Sequence, residues 1–140
     1  MTFLEALYGS QYDEIQQKGK DGNKGRLNGN FFLSAMIILF IIDVFLLCIR
    51  FLPGFNETMT TKITNVFGSL SGKSVGKLLA IPLFSIIYLL ISRTIGSKEN
   101  FRKRVEGYMQ YPGEIRKKAN AKLLVPFSIL LAIIFWQAIF

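Results

Sequence analysis

The chain has 140 residues, of which 51% are hydrophobic, yet it carries 17 Lys and Arg and a net charge of +8. The apolar residues fall in three long blocks with the charges between them, a pattern that indicates an integral membrane protein and excludes an ordinary soluble domain. With no histidine and one cysteine, the chain has almost no ligands for a zinc or haem site, and we expect no metal and no cofactor.

The segment 1–30 precedes the first apolar block and divides into two parts. Residues 2–17 place Leu7, Tyr8 and Tyr12 with other apolar side chains on one side at spacings of three and four, which predicts an amphipathic helix. Two placements of this helix are open: in the membrane interface or on a partner, or against the protein's own cytoplasmic loops. Residues 18–30 are rich in Gly, Asn and Lys without apolar periodicity, which predicts a linker.

Residues 31–52 form the first and longest apolar block. Its 22 residues would span about 33 Å as a helix, enough for a hydrocarbon core of about 30 Å. One carboxylate, Asp43, lies near its middle, and Arg50 lies seven residues further on. Pro53 and Gly54 then end the predicted helix and turn the chain.

Residues 53–77 are intermediate between loop and helix. Met59, Ile63 and Leu70 recur at helical spacing, which predicts an amphipathic segment. Glycines then recur every fourth residue, at Gly68, Gly72 and Gly76. On a helix these glycines would form a ridge that a second helix can approach closely, whereas the neighbouring serines and lysines also fit a flexible loop. Both interpretations are open.

The remaining chain contains two more predicted spans, 78–95 and 123–140. Pro82 either kinks the second span or marks the start of its helix. The basic segment 96–122 between the spans includes a predicted short helix that Ser97 caps and whose apolar face carries Phe101 and Val105. The predicted fold is thus an all-α integral membrane protein, with three transmembrane helices, an N-terminal amphipathic helix and a short cytoplasmic helical loop.

The distribution of cations predicts the orientation of the three spans. Four Lys and Arg lie before the first span and nine between Arg93 and Lys122, whereas the opposite side has only four, Arg50 included. Cytoplasmic loops of membrane proteins carry the excess of Lys and Arg. We expect a protein of the plasma membrane or bacterial inner membrane, with its N-terminus in the cytoplasm and its C-terminus on the opposite side.

Asp43 is the first candidate for a functional residue, because a carboxylate in a membrane span is costly and usually has a purpose. It could relay protons or cations, donate to or accept from Ser85 or Tyr88 on the second span, or pair with a cation of a partner subunit. Arg50 shares its helix face about two turns away, too far for direct contact unless its side chain bends back. A helix contact is favoured over transport, because the other spans offer few polar groups.

The basic loop is the second candidate, and it could bind anionic lipid or an acidic surface of a partner protein. Ordinary topology-setting charge explains the same residues, and nucleic-acid binding is not expected of a membrane-tethered loop. The cations of the loop are Lys98, Arg102, Lys103, Arg104, Arg116, Lys117, Lys118 and Lys122.

Two classes of function follow from these patterns. The first is a small non-catalytic subunit or scaffold of a membrane protein complex, with membrane lipids and other integral membrane proteins as partners in a homo- or hetero-oligomer. The alternative is an ion- or proton-conducting or holin-like pore that uses Asp43. We expect no enzyme activity and no small-molecule substrate, because no His, Cys or paired carboxylates share one level of the spans.

Overall fold

A computed structural model describes residues 1–68 and 72–140 of the chain, and every regular element in these two ranges is a helix. A 3-10 turn at Gly22–Lys24 joins the first two α-helices. The α-helices are α1 (Phe3–Gln17), α2 (Gly25–Phe51), α3 (Phe55–Phe67), α4 (Gly72–Arg93), α5 (Lys98–Met109), α6 (Gly113–Lys117) and α7 (Ala119–Ile139).

Three helices, α2, α4 and α7, are long and apolar enough to cross a membrane. Most of their side chains are exposed in the isolated chain, which is expected where lipid rather than protein covers an apolar surface. The predicted fold class, an all-α membrane protein with three spanning helices, is confirmed.

The three spans lie in a row rather than in a closed bundle. The central helix, α2, packs against α4 on one side and against α7 on the other, while α4 and α7 have at most marginal contact along their described residues. Aromatic pairs mark both contacts: Phe31 lies on Phe84 of α4, and Phe32 lies on Phe127 of α7, with ring centroids 5.0 and 5.7 Å apart. Within the two described ranges, no other helix packs on the outer faces of α4 and α7 along the spans.

The buried core lies at one end of this row, where α1 packs against α5 and against the starts of α2 and α7. Leu7 and Tyr8 of α1 are completely buried between these helices. Since α1 precedes the first span and α5 follows the second, both belong at the same membrane face. Of the two placements of the amphipathic helix, the structure therefore has the one against the protein's own helices.

α1 and α5 begin with the caps that their sequences favour. Thr2 and Glu5 form a capping box at the start of α1, in which each side chain bonds the backbone of the other residue. Ser97 accepts a hydrogen bond from the backbone of Asn100 at the start of α5, and Phe101 on its inner face is buried. The short helix predicted after Ser97 is confirmed.

Helix starts differ from the expected boundaries more than helix ends do. α2 begins at Gly25 rather than at residue 31, so the second half of the predicted linker is helical. α4 begins at Gly72 rather than at residue 78, which places Pro82 well inside the helix and excludes Pro82 as its start. Gly68 ends α3 with a positive φ of 65° and does not share a helix with Gly72, so the three-glycine ridge is interrupted. Leu70, part of the helical pattern, lies outside the described residues.

Candidate functional site

A buried side-chain amide, Asn30, joins three segments of the chain just below the first span. The Tyr8 hydroxyl of α1 donates a hydrogen bond to Asn30 Oδ1 at 2.7 Å, and Asn30 Nδ2 donates to the Gly96 carbonyl oxygen at 3.3 Å. Arg26 Nη1 donates to the same carbonyl oxygen at 3.0 Å. The network ties α1, the start of α2 and the turn after α4 together. Asn30 was not among the predicted site residues, because it lies in the segment predicted to be a linker.

Glycines bring these segments close enough to make the network. A methyl group on Gly29 would lie 2.6 Å from the ring of Tyr8, and one on Gly25 would lie 2.9 Å from the backbone of Gln11. A methyl group on Gly96 would collide with the side chain of Asn30. The four-residue spacing of Gly25 and Gly29 was the available signal for this close helix contact.

Burial also changes the acid–base behaviour of Tyr8. Removal of its hydroxyl from water raises the pKa of Tyr8 to about 12, although the nearby cations Arg26 and Arg104 act in the opposite direction. The phenol is therefore neutral at physiological pH and acts as a hydrogen-bond donor to Asn30.

Asp43 is buried, with 3% of its surface exposed, and neither carboxylate oxygen has a hydrogen-bond partner among the described residues. Its position on α2 is about three turns beyond Phe32 and about two turns before Arg50. Both of these residues contact α7, so Asp43 lies on the side of α2 that faces α7. The carboxylate is thus enclosed by its own chain.

The structure does not bring Ser85 or Tyr88 to Asp43. Ser85 Oγ donates to the Ile81 carbonyl oxygen of its own helix at 2.9 Å, and the Tyr88 ring stacks on Phe84 with centroids 6.4 Å apart. Both side chains belong to α4 and line the groove between α4 and α2, away from the side of α2 that faces α7. The interhelical hydrogen bond proposed from the sequence is therefore not formed.

Arg50 is held by α7 rather than by Asp43. Its guanidinium lies 4.7 Å from the centre of the Trp136 ring, a cation–π contact, and its Nη2 donates to the main-chain oxygen of Phe140 at 3.1 Å. The amide nitrogen of Gln137, one residue beyond Trp136, is buried without a hydrogen-bond partner among the described residues. Arg50 thus fixes the far end of α7 to the end of α2.

The eight cations of the basic loop differ in their contacts. Lys103 pairs with Glu99 at 3.1 Å and Arg102 lies 3.7 Å from Glu106, both along α5. Lys122 donates to the Met1 carbonyl oxygen, and Arg116 Nη1 contacts the Met109 sulfur. The remaining loop cations are Lys98, Arg104, Lys117 and Lys118, and of these Lys98, Lys117 and Lys118 are exposed.

Lys98 and Arg102 join two cations outside the loop, Lys24 and Arg26, around a cleft of about 770 Å³ between the start of α2 and α5. We call this the cationic cleft. Its lining residues are Asp21, Asn23, Lys24, Arg26, Leu27, Lys98, Glu99, Phe101 and Arg102.

Two apolar grooves continue from the cleft along the contact between α2 and α4. The nearer one, the Tyr88 groove, has a volume of about 500 Å³ and is lined by Leu27, Asn28, Phe31, Phe84, Ser85, Tyr88 and Leu89. The farther one, the Gly76 groove, has a volume of about 620 Å³ and is lined by Ile38, Ile41, Ile42, Gly76, Leu79, Ala80, Ile81, Leu83, Phe84 and Ser85.

Gly76 differs from the glycines of α2 in having no neighbour. A methyl group on Gly76 would meet nothing within 4 Å, whereas those on Gly25 and Gly29 would meet other residues at under 3 Å. Ala80, one turn further along α4, is also exposed in the groove. Gly76 and Ala80 therefore form a small-residue strip that none of the described side chains covers.

Among the described residues, no three His, Cys, Asp or Glu side chains are placed to hold a metal ion together. Comparisons of the chain with protein-family models, with curated proteins and with solved structures find no match.

Proposed function

We propose that this chain is a small non-catalytic membrane protein that serves as a subunit or scaffold of a membrane protein complex. In this proposal a transmembrane helix of another protein docks in the Gly76 groove. The observation that carries the proposal is the open strip of Gly76 and Ala80, which no described side chain of the chain covers.

Small residues favour a protein helix over lipid as the occupant of this groove. Inside a membrane, apolar faces alone do not draw helices together, because lipid chains cover them equally well. Helices associate where small residues allow their backbones to approach and dispersion contacts to multiply. This chain already uses glycine in that way where α1 crosses α2 at Gly25 and Gly29.

A conducting pore receives less support from the geometry. Among the described residues the three spans lie in a row, with α4 and α7 each packed against α2, and Asp43 and Ser85 lie on different sides of α2. A proton or ion pathway needs several polar groups at successive levels of one cavity. Asp43 instead lies in the contact between α2 and α7.

The proposal is tested with Ala80→Leu and its matched control Ala132→Leu. Both alanines are exposed on spanning helices, so the two substitutions add the same bulk and hydrophobicity, but only Ala80 lies in the Gly76 groove. Each variant is produced in its native cells, and the complexes are extracted in mild detergent and sized by native gel electrophoresis. We expect the wild type and Ala132→Leu to migrate as one larger complex and Ala80→Leu to migrate as the free chain.

Three results would overturn the proposal: migration of the wild type as a free chain, an intact complex in Ala80→Leu, or equal loss of the complex in both variants. If the complex contains only copies of this chain, the docked helix comes from a second copy and not from a different protein. Cross-linking from a photoreactive residue at position 79, which lines the same groove, identifies the docked chain by mass.

A further inference from the structure

The cationic cleft has an excess of positive charge: four Lys and Arg and two acids line it, and one of the four cations, Arg102, lies 3.7 Å from Glu106. Its two acids are engaged locally: Asp21 accepts hydrogen bonds from the backbone and side chain of Asn23, and Glu99 pairs with Lys103. The bond from Lys103 also lowers the pKa of Glu99, so Glu99 stays ionised as the partner of that lysine. In the part of the chain that the structure describes, no acid pairs with Lys24 or Lys98.

Arg26 completes the positive wall of the cleft. Its Nη1 bonds to the Gly96 carbonyl oxygen and lies 3.4 Å from Ser92 Oγ, both of which are uncharged partners. These bonds hold the guanidinium in place without neutralising it. A fixed guanidinium beside exposed lysines is suited to binding a phosphate group, since both side chains donate charge-assisted hydrogen bonds to phosphate oxygens.

The cleft opens at the level where the apolar surface of the spans begins. Leu27 lines both the cationic cleft and the Tyr88 groove, so the charged and apolar cavities adjoin. Phe31, one turn further along α2, is 58% exposed and lines the groove. A charged cavity beside an apolar groove matches a molecule with an anionic head and a hydrocarbon tail.

We propose that this combined cavity binds one anionic phospholipid. Its phosphate lies among Lys24, Arg26, Lys98 and Arg102, and one acyl chain lies in the Tyr88 groove before entering the bilayer. A zwitterionic headgroup brings its own cation close to the four cations of the cleft, so it binds more weakly. The lipid site does not rest on the proposed partner protein, although the Tyr88 groove shares Phe84 and Ser85 with the Gly76 groove.

The test compares Lys98→Ala/Arg102→Ala with the control Lys117→Ala/Lys118→Ala. All four side chains are exposed cations after the second span, but only the first pair lines the cleft. Arg26 is kept, because its bonds to Gly96 also support the fold. Purified protein is titrated with phosphatidylglycerol or with phosphatidylcholine of the same acyl chains, and bound lipid is counted by native mass spectrometry.

We expect the wild type and the control to retain one phosphatidylglycerol in preference to phosphatidylcholine. The cleft variant should bind phosphatidylglycerol about tenfold or more weakly, because each basic residue near an anionic headgroup contributes about a factor of five in affinity. Equal binding of the two lipids by the wild type, or equal weakening by both variants, would overturn the proposal.

A second titration distinguishes a lipid site from a site for free phosphate. Glycerol 3-phosphate carries the same phosphate chemistry without acyl chains. We expect it to bind at least a hundredfold more weakly than phosphatidylglycerol, because it leaves the Tyr88 groove empty. If glycerol 3-phosphate binds as tightly as the lipid, the cleft is a phosphate site and the assignment to a lipid is wrong.

Discussion

Asn30 connects three segments of the chain: α1, the start of α2 and the turn after α4. Its side chain is fully buried and receives the Tyr8 hydroxyl on one side while donating to the Gly96 carbonyl oxygen on the other. A buried amide in this position is stabilising only while both of its ends are bonded, because an unpaired buried polar atom is costly. The network therefore fixes one position of α1 on the spans.

The substitution Tyr8→Phe tests how much this network contributes to the free energy of unfolding. The change keeps the ring and removes only the hydroxyl, which leaves Asn30 Oδ1 buried without its donor. We expect a loss of about 1–3 kcal/mol in the free energy of unfolding, measured by denaturant titration in detergent. Tyr12→Phe is the control, since Tyr12 packs on Phe101 and no hydrogen bond involves its hydroxyl among the described residues. Equal stability of the wild type and Tyr8→Phe would contradict this role.

Tyr8 also makes the free energy of unfolding depend on pH in the alkaline range. The pKa of Tyr8 is about 12 in the folded chain and near 10 when the chain unfolds. The unfolded state therefore loses this proton first, and the Tyr8 contribution to stability declines as pH rises from 10 toward 12. We expect the decline to be shallower in Tyr8→Phe than in the wild type, with Tyr12→Phe behaving as the wild type. Parallel curves for all three proteins would show that Tyr8 titrates normally.

At the level of single residues, the sequence indicated Asp43 but not its surroundings. Hydropathy alone shows that a carboxylate lies within a span, and in the folded chain this carboxylate is buried. Which helix faces it depends on how the spans pack, and the expected partners Ser85 and Tyr88 lie on the side of α2 toward α4. Asn30 and Gly96 were not predicted as a pair, because 66 residues separate them.

At the level of elements, the composition predicted helices better than it predicted where they start. The three spans and the capped helix α5 follow from apolar runs and a capping serine. The starts of α2 and α4 lie in glycine-rich sequence that resembles a linker, because glycine has a low helix propensity. In α2 the contacts with α1 override this propensity, since Gly25 and Gly29 allow the two helices to meet.

This role of glycine predicts opposite effects of the same substitution in α2 and α4. Gly29→Ala would bring a methyl group within 2.6 Å of the Tyr8 ring, whereas Gly76→Ala adds one in open space. We expect Gly29→Ala to lose about 1–3 kcal/mol of stability by overpacking, and Gly76→Ala to gain up to about 1 kcal/mol from better helix propensity. Thermal and denaturant unfolding of the free chain in detergent measure both. A similar effect of the two substitutions would contradict this account.

At the level of the whole molecule, one end is closely packed and the other end is open. The packed end holds α1 and α5 against the starts of α2 and α7, with side chains such as Leu7 fully buried. The open end has Gly76 and most apolar side chains of α4 uncovered. The packed end is stable through its own contacts, and the open end is available to lipid or to another helix. The sequence predicted the apolar blocks and the basic segments, but not which end of the molecule would be closely packed.

The charge distribution of the whole chain predicts its orientation in the membrane. Thirteen cations lie before the first span or between the second and third spans. α1 comes from the first of these segments and α5 from the second, and the two helices pack together at the same end of the molecule. Because Lys and Arg accumulate on the cytoplasmic side, we expect this packed end in the cytoplasm and Phe140 outside it. Alkaline phosphatase, active only outside the cytoplasm, should be active when fused after Phe140 and inactive when fused after Tyr111. Activity only in the Tyr111 fusion would invert the orientation and place the cationic cleft in the opposite leaflet.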